Sequence, residues 1–254
     1  MMRFRSNIAN IVTSLNLLCG SIAIYFLFQE EYMIAVCLII LAAVFDFADG
    51  FVARLLHVKS EMGTQLDSLS DVISFGLAPG FAMFIMLDKG LSFWETGLPQ
   101  YIAFIAFIIP VFSAWRLAKF NIDEKQTDHF IGLPTPANGL LIISFLPVFS
   151  GQCIPTWIPW NDSFSYYLIH PAFLIPATLV LSYLLISPLP LFAMKFKSFG
   201  WKENRIRYLF IISSLVLILI FYFVAIPFVI ILYIALSLID LFINRKHQKH
   251  EIQS

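Results

Sequence analysis

Long apolar segments, with little ordinary soluble sequence between them, constrain this chain more than any other feature. They lie at about 11–28, 33–56, 66–87, 100–120, 134–149, 169–187, 207–223 and 226–243. Roughly 20 apolar residues in a helix cross a bilayer core, and backbone in lipid must satisfy its own hydrogen bonds, so each segment is expected to be a helix. Composition agrees, with 59% of the 254 residues hydrophobic and 13% charged, and a mean hydropathy of +0.84. The expected fold is an all-α integral membrane bundle of about eight transmembrane helices forming a single domain over 1–254. The segment 134–149 is short for a span, and Pro227 falls almost at the join of the last two.

Charge supplies an independent test of this count. An even number of spans puts both termini and every second loop on the cytoplasmic side, where Lys and Arg should gather. Fifteen of the 16 basic residues fall there: Arg3, Arg5, Arg54, Lys59, Arg116, Lys119, Lys125, Lys195, Lys197, Lys202, Arg205, Arg207, Arg245, Lys246 and Lys249, with Lys89 the exception. The expected location is therefore the cell membrane, multi-pass, with both termini cytoplasmic. The loop at 150–168 holds Trp157, Trp160, Tyr166 and Tyr167 without Lys or Arg, as an aromatic belt at the far interface would. Arg3 and Arg5 precede the first apolar run without an evident small-residue cleavage site, so that run is read as a helix that stays attached. Zero net charge and the lack of a long basic run argue against nucleic acid as a partner. Cys19, Cys37 and Cys153 form no CxxC pair and indicate neither a disulfide framework nor a zinc site.

The segment 45–76, FDFADGFVARLLHVKSEMGTQLDSLSDVISFG, carries the chemistry. Asp46 and Asp49 are three apart and share a face of the second span; Asp67 and Asp71 are four apart and share a face of the third. A short connection makes the two helices antiparallel neighbours, so both pairs can converge near the cytoplasmic surface. An acid costs about 2.5–3.5 kcal/mol at mid-membrane, and neighbouring like charges raise this further, so four together call for a cation. The donors are all hard oxygens, which points to magnesium, manganese or calcium. Gly50 and Gly63 accompany the two pairs, either for close helix packing or to let a ligand lie against backbone. Arg54 suits an anchor on the positive side or, through its planar fork, a phosphate. Metal-binding acids, a phosphate-binding Arg and open backbone together are the equipment of phosphoryl transfer.

Written as Asp46-x2-Asp49-Gly50-x2-Ala53-Arg54-x8-Gly63-x3-Asp67-x3-Asp71, these residues resemble the complete signature of the CDP-alcohol phosphatidyltransferase family. NIVTSLNLLCGSIAI, SLSDVISFGLAPG, WRLAKFN and FIGLPTPANG further resemble its phosphatidylserine synthase branch, so the likeness covers about 7–145. It implies a family core over about 7–190, followed by two extra helices at about 207–243. It also implies transfer of a phosphatidyl group from CDP-diacylglycerol to the hydroxyl of L-serine, giving phosphatidylserine and CMP, in a homodimer among membrane lipids with the active site facing the cytoplasm. By the same resemblance, Asp46, Asp49 and Asp67 hold two ions, Mn2+ or Mg2+, while Asp71 touches the second ion and takes the acceptor's proton as the catalytic base. Gly50, Arg54, Ser60 and Gly63 are expected at the CDP-lipid, with Asn10 and Thr13 close to the nucleotide.

Other acceptors, such as glycerol phosphate, inositol phosphate or choline, suit the same chemistry. The acceptor-binding residues stay unassigned: Arg116 and Lys119 could meet a serine carboxylate but read first as positive-side anchors. A divalent cation transporter would explain intramembrane acids, but these gather at one end of the bundle, with Arg54 opposing a cation path. An inactive scaffold would have little reason to keep four buried acids. A phospholipase D-like route needs H-x-K-x4-D twice; His57 and Lys59 give H-x-K once, with Thr64 where Asp is required.

Overall fold

A computed structural model describes residues 2–56, 60–122, 129–151, 167–188, 190–192, 200, 204–221 and 225–253. His57, Lys59, Lys125, Cys153, Trp157, Trp160, Tyr166, Lys195, Lys197 and Lys202 lie outside the described residues. Within them, each of the eight apolar segments is helical. We denote them α1 (Met2–Phe28), α2 (Tyr32–Leu55), α3 (Glu61–Phe93), α4 (Gln100–Ile122), α5 (Thr135–Phe149), α6 (Pro171–Ile186), α7 (Arg205–Phe221) and α8 (Ala225–Gln253). The first four are long and apolar enough to cross a membrane; the others are shorter or less continuously apolar. The all-α expectation needs one amendment. Residues His129–Ile131 (β1) pair antiparallel with Pro190–Phe192 (β2), Phe130 opposite Leu191. Neither segment has the alternation or length that marks a strand in sequence, so the ribbon exists only because the ends of α5 and α6 bring the two together. Gly132 makes this approach possible: its φ is +79°, and a Cβ there would collide with the Leu185 carbonyl.

α1 and α2 form a tight antiparallel hairpin through Gln29–Glu31, with Glu30 in the left-handed region at φ +62°. α3 is the central helix. About 61% of its most apolar window is buried, against 28–33% for α1, α2 and α4. Apolar burial between helices drives little in lipid, where the alternative solvent is equally apolar, so close contact between small residues has to hold the bundle. Three such contacts fix the middle of α3: Gly20 of α1 against Ser74, Gly76 against Ser113 of α4, and Gly139 of α5 against the Phe75 backbone. Between α3 and α4 the Phe84 and Phe104 rings add a contact with centroids 5.2 Å apart. Large apolar side chains such as Leu41, Val44, Phe47 and Phe51 of α2 face outward, as lipid contact requires.

The sequence suggests a kink where Gly76, Pro79 and Gly80 cluster. There α3 passes through a π-helical turn, Val72–Leu77, in which the Ala78 N–H donates to the Ile73 carbonyl. Pro79 explains it: without an N–H it cannot bond the Phe75 carbonyl, and its ring crowds that oxygen, so one wider turn absorbs the conflict. That turn follows Asp71 directly.

Candidate active site

α2 ends with Asp46 and Asp49 on its last turns, and α3 begins with Asp67 and Asp71 on its first. The chain returns through a short connection and restarts at Ser60, whose side chain caps α3 by accepting the Gly63 N–H at 2.9 Å. That cap fixes where α3 starts. Asp46, Asp49 and Asp67 offer carboxylate oxygens that all lie within 4.8 Å of one another. Asp49 Oδ2 and Asp67 Oδ1 are buried without a hydrogen-bond partner. The one ion pair among the described residues, Lys89 with Glu30 at 2.7 Å, sits where α3 passes the α1–α2 hairpin, so none of the aspartates is neutralised by a direct ion pair. Three hard-oxygen ligands, two with orphaned oxygens and no paired cation, fit a divalent metal.

Asp71 stands outside this triad. It interacts electrostatically with Asp46, Asp67 and Asp49, and its Oδ1 accepts a hydrogen bond from Asn16 Nδ2 at 3.3 Å. Asn16 is wholly buried on α1 one turn beyond Thr13, and its register is held by Ser74 Oγ donating to the Asn16 carbonyl at 3.0 Å. Sequence reasoning missed Asn16, although its spacing of three from Thr13 puts the two on one face of the first helix.

Beside the triad opens a cleft of about 150 Å3, lined in part by Asn10, Thr13, Asp49, Gly50, Ser60 and Gly63. Five of the six residues expected at the CDP-lipid therefore border one space. The sixth, Arg54, does not line it, but its Nη1 lies 3.7 Å from where a Cβ on Gly50 would stand, so the guanidinium folds back over Gly50. A Cβ on Gly63 would sit 2.8 Å from Ser60 Oγ and 3.1 Å from Asn10 Oδ1, filling the cleft wall. The Thr13 hydroxyl lies between the Ala9 carbonyl, at 3.1 Å, and the Asp49 carboxylate.

Of the two cations weighed for an acceptor, Lys119 is exposed and Arg116 is not. Arg116 turns into the bundle, buried to 9% exposure, and Nη1 donates to Thr135 Oγ1 at 2.8 Å. Arg116 thus turns inward from the end of α4 toward Thr135 of α5 instead of lying out at the interface.

The CDP-alcohol phosphatidyltransferase family model matches residues 6–168. The chain is similar to proteins named CDP-diacylglycerol--serine O-phosphatidyltransferase from several organisms. It is 33% identical to that of Helicobacter pylori over 136 residues, 53% of this chain and 54% of the relative. With the Bacillus subtilis protein it shares 36% identity, covering 53% of this chain and 73% of the relative. With that of Methanocaldococcus jannaschii it shares 35%, covering 58% and 64%. The chain thus spans about half the length of the Helicobacter relative it matches.

Proposed function

This chain belongs to the CDP-alcohol phosphatidyltransferase family, and on that premise we propose that it transfers the phosphatidyl group of CDP-diacylglycerol to the hydroxyl of L-serine, releasing CMP. The carrying observation is the convergence of Asp46, Asp49 and Asp67 within 4.8 Å at the wall of a cleft with open backbone at Gly50 and Gly63. The names of the relatives supply serine as the acceptor.

In this reading Asp46, Asp49 and Asp67 would hold two divalent ions, manganese or magnesium, and Asp71 would contribute to the second. Bound there, the metal would neutralise the pyrophosphate and stabilise charge on the departing CMP. The cytidine side enters the cleft between Asn10 and Thr13 on α1 and Ser60 and Gly63 on α3, and the Arg54 guanidinium lies over the phosphates at Gly50. Asp71 accepts the serine hydroxyl proton as the oxygen bonds to the phosphatidyl phosphorus and the bridging P–O bond breaks, leaving with CMP. Asn16 holds the Asp71 carboxylate through Oδ1, so the other oxygen is the one to take the proton. Eight spans forming a single domain would place both termini and the site on the cytoplasmic side, and the protein would act as a homodimer.

The test is CMP release from CDP-diacylglycerol by the purified chain, with an acceptor panel. We expect serine-dependent release that EDTA abolishes and added manganese or magnesium restores. Release that ignores serine but proceeds with glycerol phosphate, inositol phosphate or choline would reject serine as the acceptor.

A further inference from the structure

Three side chains of the site stand on α1, which carries none of the acids: Asn10 and Thr13 border the cleft, and Asn16 bonds the Asp71 carboxylate. Their placement therefore depends on how α1 lies along α3. The two helices run side by side in the same direction, with Asn10 near Gly63, Thr13 near Ser70 and Gly20 near Ser74. A serine hydroxyl in a helix has a ready acceptor in the carbonyl four residues back, and Ser14, Ser21, Ser68 and Ser92 all use it. Ser70 and Ser74, both wholly buried, reach across to α1 instead. Ser70 Oγ lies 2.8 Å from the Leu66 carbonyl of its own helix and 3.3 Å from the Thr13 carbonyl. Ser74 Oγ donates to the Asn16 carbonyl at 3.0 Å. Gly20 permits this approach, since a Cβ there would stand 2.7 Å from Ser74 Cα. Apolar contacts between helices can slide in lipid, where they are only weakly driven. A hydroxyl bonded to a helix carbonyl cannot, because that oxygen is fixed by the backbone.

We propose that Ser70 and Ser74 are positioning residues that lock α1 in register on α3: Ser70 sets Thr13 at the cleft, and Ser74 sets Asn16 against Asp71. The inference deepens the proposed function and rests on its reading of Asp71 as the base. Neither serine lines the cleft, so both act through α1. Thr13 and Asn16 are three residues apart, about 4.5 Å along the axis, so one helix serves the nucleotide side and the base side at once. A shift of α1 moves both. The Asn16 to Asp71 hydrogen bond is already 3.3 Å long, and a slide of about 1 Å would break it, a displacement that can cost about 10²-fold in rate at a reacting group.

The experiment measures kcat and KM for CMP release by the full-length chain and by S70A, S74A, N16A, the double variant N16A/S74A, and G20A. Alanine is smaller than serine, so S70A and S74A keep the close packing and lose only the hydroxyl. Ser74→Ala should lower kcat about tenfold or more, the usual worth of a group that orients a site residue, with KM for CDP-diacylglycerol unchanged. Ser70→Ala should raise KM for CDP-diacylglycerol about threefold or more with kcat unchanged. On the N16A background, Ser74→Ala should cost less than about twofold, because its effect passes through Asn16. A merely structural role would give no such split, and its cost would be the same on both backgrounds. Gly20→Ala keeps both hydroxyls but presses on Ser74, and should reproduce the kcat defect; it carries the comparison if S74A does not fold. Wild-type kcat in S74A and G20A, or an equal cost of Ser74→Ala with and without Asn16, overturns the role of Ser74, and an unchanged KM in S70A overturns that of Ser70. The series is run with whichever acceptor the wild type uses, so the failure of serine as acceptor and the failure of this inference are read separately. A wild-type chain that releases no CMP with any acceptor overturns both.

Discussion

Asp71 differs from the other three aspartates in what holds it. The triad has oxygens with no partner, whereas Asp71 has the Asn16 amide on Oδ1 at 3.3 Å. Asn16 Oδ1 is itself unpartnered, so the shape of the site tolerates an amide in place of the carboxylate. Asp71→Asn should therefore fold normally and retain CDP-lipid binding, while the rate of CMP release falls by about 10²-fold or more, the usual worth of a positioned base. Binding assayed alongside turnover checks it; substantial remaining turnover would refute the base role. Gly63 poses the opposite case, since the defect should lie in binding. A methyl there meets Ser60 Oγ at 2.8 Å, and that hydroxyl is committed to the α3 cap. Gly63→Ala should raise KM for CDP-diacylglycerol by about tenfold, from roughly 1–3 kcal/mol of crowding, with little change in kcat at saturation. These roles were partly legible in sequence. The i, i+3 and i, i+4 spacings of the aspartates fix which side chains share a helix face, but Asn16 is 55 residues from Asp71 in the chain, and no local pattern encodes such a pairing.

At the scale of elements, α3 decides the site, because it carries half of the acids and touches α1, α4 and α5 at once. Its existence and extent follow from the apolar run and the Ser60 cap. Its π turn follows from Pro79, yet the sequence alone does not name the neighbours packed against that turn. The Gly139 contact is one of those neighbours: a Cβ there would stand 2.9 Å from the Phe75 carbonyl oxygen and 3.0 Å from its Cα, backbone that cannot rotate away. Gly139→Val should cost about 1–3 kcal/mol by overpacking and lower Tm in detergent by about 2–4 °C per kcal/mol. An unchanged Tm would mean that α5 is not held there. The β1–β2 ribbon and the inward turn of Arg116 belong to the same class of feature, made by the ends of distant helices and invisible to periodicity.

At the scale of the molecule, the acids and Lys89 lie toward opposite ends of α3, and the Lys89–Glu30 pair marks the end away from the site. On a cysteine-free background, Glu30→Cys should react with an impermeant maleimide in intact cells, and Glu61→Cys only after the membrane is opened; the reverse pattern would invert the topology. The apolar runs by themselves determined that the chain is a helical membrane bundle, because backbone in lipid has few other solutions. The aspartate spacing likewise determined that Asp46 and Asp49 share one face of α2 and Asp67 and Asp71 one face of α3. Only the tertiary structure decided that three of them converge while Asp71 pairs with Asn16, and that Arg116 faces inward to Thr135. Those outcomes depend on how closely helices approach and at what rotation, which small residues such as Gly20, Gly76 and Gly139 set through contacts between segments far apart in the chain.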